Sequence, residues 1–221
     1  MSQLESLTPN VFGLTGGMGS GKSTVSAIYA ERGAVILDAD QIVRDLQEPG
    51  QTGLTGMVEI LGEEILESGG SLDRKAAARL IFGDAEKRQA VEAFLHPLIW
   101  SEIDRGIEQT DIDTPVILDV PLLLESNQRD LSGIIVVYAP RHLAVTRLVK
   151  YRGFTEEDAL ARISQQMSPE ERVRQADFII HNYGSREDVR RQIDGGWSWL
   201  TEVHQLGKQA LTEVVEPGAQ L

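Results

Sequence analysis

Five short apolar runs divide the chain and alternate with segments whose apolar residues recur every three or four positions. The runs are continuous rather than alternating, which is typical of parallel strands buried on both faces. They lie at about Val11–Thr15, Ala34–Leu37, Val116–Val120, Ile134–Tyr138 and Phe178–Ile180. Strands alternating with helices in this way predict an α/β fold with a parallel sheet.

The interval 41–110 contains several helical patterns and no convincing strand. Helices are predicted over about 41–47, 53–67 and 75–82, and a further helical pattern around Phe94 is interrupted at His96-Pro97 before it resumes. Because this interval is too long for a simple crossover connection, it predicts an inserted helical subdomain.

Three more helices are predicted over 141–176, where Thr155 and Ser168 have the spacing of helix caps. A final amphipathic helix is predicted from Ser185 to about Leu206. Its Trp197 and Trp199 are expected to be packing residues, and both His142 and His204 are expected at the surface.

A glycine-rich loop joins the first strand to the first helix, which is predicted from Lys22 to about Arg32. Gly16–Ser23 fits the phosphate-binding pattern G-x-x-x-x-G-K-[S/T]. Glycines let backbone N–H groups approach an anion, and the helix start directs its positive dipole end at the same anion. The residues predicted to hold ATP are Gly17, Met18, Gly19, Ser20, Gly21, Lys22, Ser23 and Thr24. Lys22 can bridge the β- and γ-phosphates, and the Ser23 hydroxyl can ligate Mg²⁺.

Carboxylates follow two of the strands at the sheet edge where α/β proteins bind ligands. Asp38 and Asp40 end the second strand, and each can accept a proton, hold Mg²⁺ through water or cap the next helix. We favour Asp40 as the base and Asp38 for capping or metal support. Asp119 ends the third strand like the carboxylate of a Walker B strand, which holds Mg²⁺ through its shell.

Positive charge is concentrated in the predicted helices of 141–176. The arginines of this segment are Arg147, Arg152, Arg162, Arg172 and Arg174, besides Arg141. Such a segment is typical of a lid whose arginines neutralise a transferring phosphoryl group and whose closure excludes water. The alternative is a set of solvated helix faces with salt pairs to neighbouring glutamates.

The composition of the chain argues against several kinds of binding partner and site. The 221 residues carry a formal net charge of −13, which argues against a nucleic-acid partner. No apolar run approaches the roughly 18 residues that suggest a membrane span. The first residues show no export signal, so a cytoplasmic location is expected. With no cysteine in the chain, disulfides and thiolate metal sites are excluded.

Six blocks, in this order, resemble the dephospho-coenzyme A kinase family over about residues 11–200. They are Gly13–Thr24, Asp38-Ala39-Asp40, Leu72-Asp73-Arg74, His96-Pro97-Leu98-Ile99, Pro121-Leu122-Leu123-Leu124-Glu125 and a late pattern of Arg162-Ile163, Gln166, Ala176-Asp177 and Asn182. Many proteins share the first block, but the combination is specific. Ala144 stands where family members often have Gln, and His181 where Asp is common.

The resemblance implies a reaction and a fold. ATP would phosphorylate the ribose 3′-hydroxyl of dephospho-CoA, giving ADP and CoA, on a five-stranded parallel sheet of order 2-3-1-4-5. The whole chain would be one kinase domain and a monomer or weak homo-oligomer. Its nucleotide-binding core would comprise 11–40, 111–140 and 177–210, with an acceptor subdomain at 41–110 and a lid at 141–176.

The resemblance also implies residue roles. Asp40 matches the general base, and Arg147 matches a lid arginine that contacts phosphates, whose loss should lower turnover more than ATP affinity. Asn182 is expected near the adenine. The acceptor region comprises Asp38, Asp40, Leu72, Arg74, His96, Pro121, Leu122, Leu123 and Glu125.

Three rival interpretations remain open. The chain could be a small-molecule kinase with another acceptor, a nucleotide-dependent switch that binds a protein, or a nucleic-acid-handling ATPase. The size of the insert disfavours the first, the arginine-rich segment disfavours the second and the negative charge disfavours the third.

Overall fold

The structure, a computed structural model, describes residues 11–120 and 131–215, with side chains as far as residue 207. The chain folds into two compact units. The first comprises residues up to Ile36 and those from Thr110 onward, and the second comprises Leu37–Gln109. In the described ranges, no helix is long and apolar enough to cross a membrane.

A five-stranded sheet forms the framework of the first unit. The strands are β1 (Val11–Thr15), β2 (Val35–Asp38), β3 (Val116–Asp119), β4 (Gly133–Tyr138) and β5 (Phe178–His181). They are ordered β2-β3-β1-β4-β5, with β1 parallel to both β3 and β4, and β4 parallel to β5. The predicted strands and the strand order are therefore confirmed. Every residue of the central strand β1 is buried, as its continuous apolar run predicts.

Helices of the first unit flank this sheet. They are α1 (Lys22–Glu31), α6 (Arg141–Arg152), α7 (Glu156–Ser164), α8 (Pro169–Val173) and α9 (Arg186–Val215). The predicted caps are confirmed, because Thr155 accepts from the Asp158 N–H and Ser168 forms a full capping box with Glu171.

Aromatic side chains close the core of the first unit. Trp199 packs edge-on against Phe12, with ring centroids 5.6 Å apart, and stacks on Phe178 at 5.5 Å. Trp197 is partly buried against the same core. Both tryptophans are thus packing residues, as predicted.

The second unit is helical. Its elements are α2 (Ala39–Leu46), α3 (Thr52–Leu61), a 3₁₀ turn (Glu63–Ile65), α4 (Arg74–Gly83) and α5 (Ala85–Glu108). Its core contains Met57, Leu61, Ile65, Val91 and Leu95. The unit is small, but it encloses an apolar cluster of its own.

Two predicted boundaries in this unit are wrong. The helix expected over 53–67 ends at Leu61, because Gly62 adopts a φ of 95° that continues no right-handed helix. The helix expected to break at His96-Pro97 continues through Pro97 to Glu108. Packing of α5 against α2, α3 and α4 compensates for the backbone hydrogen bond that proline removes.

The surface prediction for His204 is also wrong, whereas His142 is exposed as expected. His204 is 2% exposed on α9, and neither ring nitrogen has a hydrogen-bond partner among the described residues. It lies one helical turn after the fully buried Leu200, so the buried face of α9 includes it.

Candidate functional site

The loop between β1 and α1 has the backbone conformation that its glycines permit. Gly19 and Gly21 have φ values of 78° and 88°, in the left-handed region that other residues rarely adopt. A Cβ atom at Gly19 would lie 2.6 Å from the Ala144 carbonyl oxygen, and one at Gly21 would overlap the Asn182 amide. Both positions therefore require glycine for conformation and for space.

The start of α1 is open to an anion. Its N-cap is Gly21, which has no side chain to cap the first N–H groups, and the first turn contains no acidic residue. The Ser20 hydroxyl is buried and has no hydrogen-bond partner within the described residues. Backbone N–H groups at a helix start, the positive end of the helix dipole and a nearby hydroxyl favour the binding of phosphate, so these residues fit the predicted ATP site.

Lys22 forms an ion pair with Asp119 at the carboxyl end of β3. Asp119 is only 2% exposed, and the Lys22 side chain is largely covered. A buried carboxylate is stable when a cation accompanies it, so the pair fixes the Lys22 ammonium at the beginning of α1.

Two side chains with oxygen atoms lie where the sequence predicts Mg²⁺ to be held. The Ser23 side chain is exposed in the first turn of α1, and Asp119 lies against Lys22. Across the described residues no three His, Cys, Asp or Glu side chains cluster around a metal position. This donor set fits Mg²⁺, which is commonly held by one or two protein oxygens together with substrate phosphates and waters.

Arg147 extends from α6 to the loop. Its guanidinium donates to the carbonyl oxygens of Ser20 at 3.1 Å, Gly19 at 3.3 Å and Asn182 at 2.8 Å. Several of its donors are therefore directed at backbone carbonyls. The positive charge lies directly beside the loop that is predicted to bind phosphates.

Asn182 follows β5 and braces the same loop. Its side-chain amide donates to the Ser20 carbonyl at 2.7 Å, and its backbone N–H donates to the Tyr138 carbonyl at 2.7 Å. The structure thus brings Asn182 and Arg147 together at the loop. An adenine contact by Asn182 remains a prediction.

Gln166, in the connection between α7 and α8, is absent from the predicted site. Its side-chain oxygen accepts a hydrogen bond from the Met18 N–H at 2.9 Å. Gln166 and Met18 are 148 positions apart in the sequence. Gln166 belongs to the late block that carries the family resemblance, which is the one sequence signal that points to it.

The predicted arginines of 141–176 do not form one exposed cluster. Arg152, Arg162 and Arg174 are exposed, and the Arg162 guanidinium lies 5.1 Å from the centre of the Phe154 ring. Arg172 is 1% exposed and donates to the Thr15 hydroxyl at 3.3 Å. Arg172 therefore ties α8 to the end of β1 and is not a solvent-facing lid charge.

The two predicted carboxylates of the second unit have different surroundings. Asp38 caps α2, because its side chain accepts the Gln41 N–H at 3.1 Å. Asp40 lies in the first turn of α2, where its side chain is exposed. Among the described residues Asp40 makes no hydrogen bond or ion pair, so its carboxylate is available to a ligand. The capping role expected for Asp38 is confirmed, and the role of Asp40 as base stays a prediction.

The other predicted acceptor residues of this unit lie on α4, on α5 and just before α4. Arg74 donates to the Gln47 side chain at 2.8 Å, and Leu72 packs partly buried on the core of the second unit. The exposed His96 accepts the Trp100 indole N–H at 3.3 Å. Pro121, Leu122, Leu123 and Glu125 lie outside the described residues.

Asp73, between Leu72 and Arg74, has a structural role. Its carboxylate caps α4 by accepting the N–H groups of Lys75 and Ala76 at 2.9 and 3.0 Å. The Ala76 hydrogen bond is the main reason that the pKa of Asp73 is lowered. The Leu72-Asp73-Arg74 block thus contains the cap and the first residue of α4.

Comparison with known proteins gives concordant matches. Residues 10–188 match the family model described as dephospho-CoA kinase. A dephospho-CoA kinase of Symbiobacterium thermophilum is 43% identical over 190 residues, covering 85% of this chain and 80% of the relative.

Solved structures agree with the sequence relatives. A crystal structure of a Thermus thermophilus protein has a TM-score of 0.76 and 34% identity, covering 87% of this chain and 98% of the other. The structure of dephospho-CoA kinase from Campylobacter jejuni has a TM-score of 0.65 and 26% identity with the same coverage.

Proposed function

The chain belongs to the dephospho-CoA kinase family, and from this membership we propose that it transfers the γ-phosphoryl group of ATP to the ribose 3′-hydroxyl of dephospho-CoA. The products are ADP and CoA, so the reaction is the last step of coenzyme A synthesis. The observation that supports the nucleotide half most directly is the uncapped start of α1 behind Gly19 and Gly21.

On the nucleotide side, the backbone from Gly17 to Thr24 surrounds the phosphates of ATP. The Lys22 ammonium neutralises the β- and γ-phosphates, and Arg147 adds positive charge beside the loop. Ser23, and through water Asp119 or Asp38, would hold Mg²⁺, which would supply further neutralisation of phosphate charge. Asn182 contacts the adenine end of the nucleotide.

On the acceptor side, Asp40 accepts the proton of the 3′-hydroxyl as that oxygen bonds to the γ-phosphorus and ADP leaves. Leu72, Arg74 and His96, with Pro121, Leu122, Leu123 and Glu125, bind dephospho-CoA. Arg74 is cationic, which suits the pyrophosphate of that substrate. The second unit (residues 37–109) acts as the acceptor subdomain, and residues 141–176 act as the lid.

The product identifies the reaction. Incubating the protein with ATP, Mg²⁺ and dephospho-CoA should yield CoA whose new phosphate is on the ribose 3′-oxygen, as phosphorus NMR and mass spectrometry can establish. A product phosphorylated elsewhere would contradict the proposed acceptor position.

The structure refines the expectation for Arg147. Because its guanidinium donates to three backbone carbonyls of the site, Arg147→Ala should weaken ATP binding as well as turnover. Loss of charge-assisted hydrogen bonds predicts a rise in KM for ATP of about tenfold or more. Steady-state kinetics with ATP varied measures this rise, and Arg191→Ala, an exposed α9 arginine, is the matched control. An unchanged KM for ATP would contradict the loop-holding part of this role.

We further propose that the enzyme acts in the cytoplasm, where ATP is supplied, as a monomer or weak homo-oligomer. The net charge of −13 is consistent with a small-molecule substrate rather than nucleic acid. Size-exclusion chromatography with light scattering over a range of protein concentrations measures the oligomeric state.

A further inference from the structure

The tip of the phosphate-binding loop is attached to the connection between α7 and α8. The partly buried hydrogen bond from the Met18 N–H to the Gln166 side chain is 2.9 Å long. The Met18 side chain packs against an apolar cluster formed by Val145, Leu148 and Ala159. Met18 is therefore held twice, through its backbone and through its side chain.

Met18 lies between glycines on both sides, at Gly17 and Gly19. Glycine has the largest conformational freedom to lose, so ordering this segment carries an entropic cost. A loop that is ordered before the nucleotide arrives avoids that cost on binding. The only side chain in this three-residue segment is that of Met18, so an anchor at Met18 restrains the part of the loop that is most flexible.

The segment that carries Gln166 is itself fixed. The Gln166 N–H donates to the Ile163 carbonyl at 3.2 Å, which continues the end of α7. The next residue, Met167, accepts from Arg172 at 3.4 Å, and Arg172 also donates to Thr15 at the end of β1. The segment that contains Gln166 and Met167 is thus connected to Met18 in the loop directly, and to Thr15, just before the loop, through Arg172.

We propose that Gln166 is a positioning residue that holds the phosphate-binding loop in its nucleotide-ready conformation. It acts through the backbone of Met18 and does not contact the phosphates. This inference rests on the proposed function, in that the loop binds the phosphates of ATP. It assigns Gln166 a role in nucleotide affinity rather than in the chemical step.

The test compares two neighbouring glutamines. Gln166→Met keeps the side-chain length and removes the acceptor, while Gln165→Met makes the same change at an exposed position. Loss of one neutral hydrogen bond predicts that Gln166→Met raises the Kd for ADP and the KM for ATP about three- to tenfold. The kcat should fall less than KM rises, and Gln165→Met should leave all three quantities unchanged.

The binding of inorganic tripolyphosphate, which has no adenine, distinguishes an effect on the phosphate-binding loop from an effect on adenine binding. Because the anchor acts on the loop, Gln166→Met should weaken tripolyphosphate binding by the same factor as ADP binding, as isothermal titration calorimetry can measure. Unchanged ADP and tripolyphosphate affinities would overturn the proposal, as would a lower melting temperature with unchanged affinities.

These binding measurements need no acceptor. Failure of the wild-type protein to phosphorylate dephospho-CoA would contradict the proposed function, whereas equal affinities of Gln166→Met and wild type would contradict only the role of Gln166.

Discussion

Asp40→Asn is expected to lower kcat with dephospho-CoA by about 10²–10⁴, the range for loss of a general base. Asparagine keeps the shape of the side chain but cannot accept a proton. Because Asp40 is exposed in the first turn of α2, the substitution should leave folding largely unchanged. The KM for ATP should stay near its wild-type value, because Asp40 acts on the acceptor hydroxyl.

Asp38 provides the sharpest comparison. Asparagine caps helices about as well as aspartate, so Asp38→Asn should keep the cap of α2 and remove only the basicity of the side chain. If Asp40 is the base, Asp38→Asn should retain far more activity than Asp40→Asn. The reverse order would transfer the role of base to Asp38. Asp45→Asn, an exposed carboxylate on the same helix, controls for loss of charge.

Lys22→Met is expected to lower kcat/KM by about 10²–10³, since it removes a cation directed at the transferring phosphoryl group. ADP affinity should fall as well, because the ammonium also contacts the phosphates before reaction. Lys150→Met, at an exposed position on α6, provides the matched loss of a lysine charge. Steady-state kinetics and ADP titration measure the two effects.

Lys22→Met has a structural side effect that must be separated from catalysis. It leaves the buried Asp119 carboxylate without its ion-pair partner, and breaking such a pair destabilises a protein by about 3–5 kcal/mol when the pair is fully buried. The double variant Lys22→Met with Asp119→Asn should recover thermal stability without recovering activity. Recovery of both would show that Lys22 acts only by stabilising the fold.

The sheet and the phosphate-binding loop could be predicted because their signals are local. Continuous apolar runs such as Val116–Leu118 identify buried parallel strands, and the glycines at 19 and 21 occupy positions where φ is positive. The helix caps at Thr155 and Ser168 likewise depend on residues three positions apart. Each of these features is encoded within a few residues.

The features that were missed depend on distant parts of the chain. Pro97 does not break α5, because packing against three other helices stabilises that helix as a whole. His204 is buried because the covered face of α9 extends beyond Leu200. The partners of Gln166 and Arg172 lie about 150 positions away, in or next to the loop, and no pattern of neighbouring residues encodes such contacts.

The sequence predicts the phosphate site in more detail than the acceptor site. A glycine-rich loop of this pattern before a helix predicts phosphate binding by itself. Leu72, Arg74 and His96 follow no such pattern, and only the family resemblance implies their role in binding the acceptor. Their contacts in the second unit, to Gln47, Trp100 and the apolar core, would suit a structural role equally well.

The central claim is that ATP is used to phosphorylate dephospho-CoA, and ADP release with a panel of acceptors tests it most directly. The purified protein with ATP and Mg²⁺ is given dephospho-CoA, adenosine, AMP, shikimate or no acceptor. We predict ADP release that depends on dephospho-CoA and is matched mole for mole by CoA. Release that depends on another acceptor, or slow release that no acceptor changes, would contradict the claim.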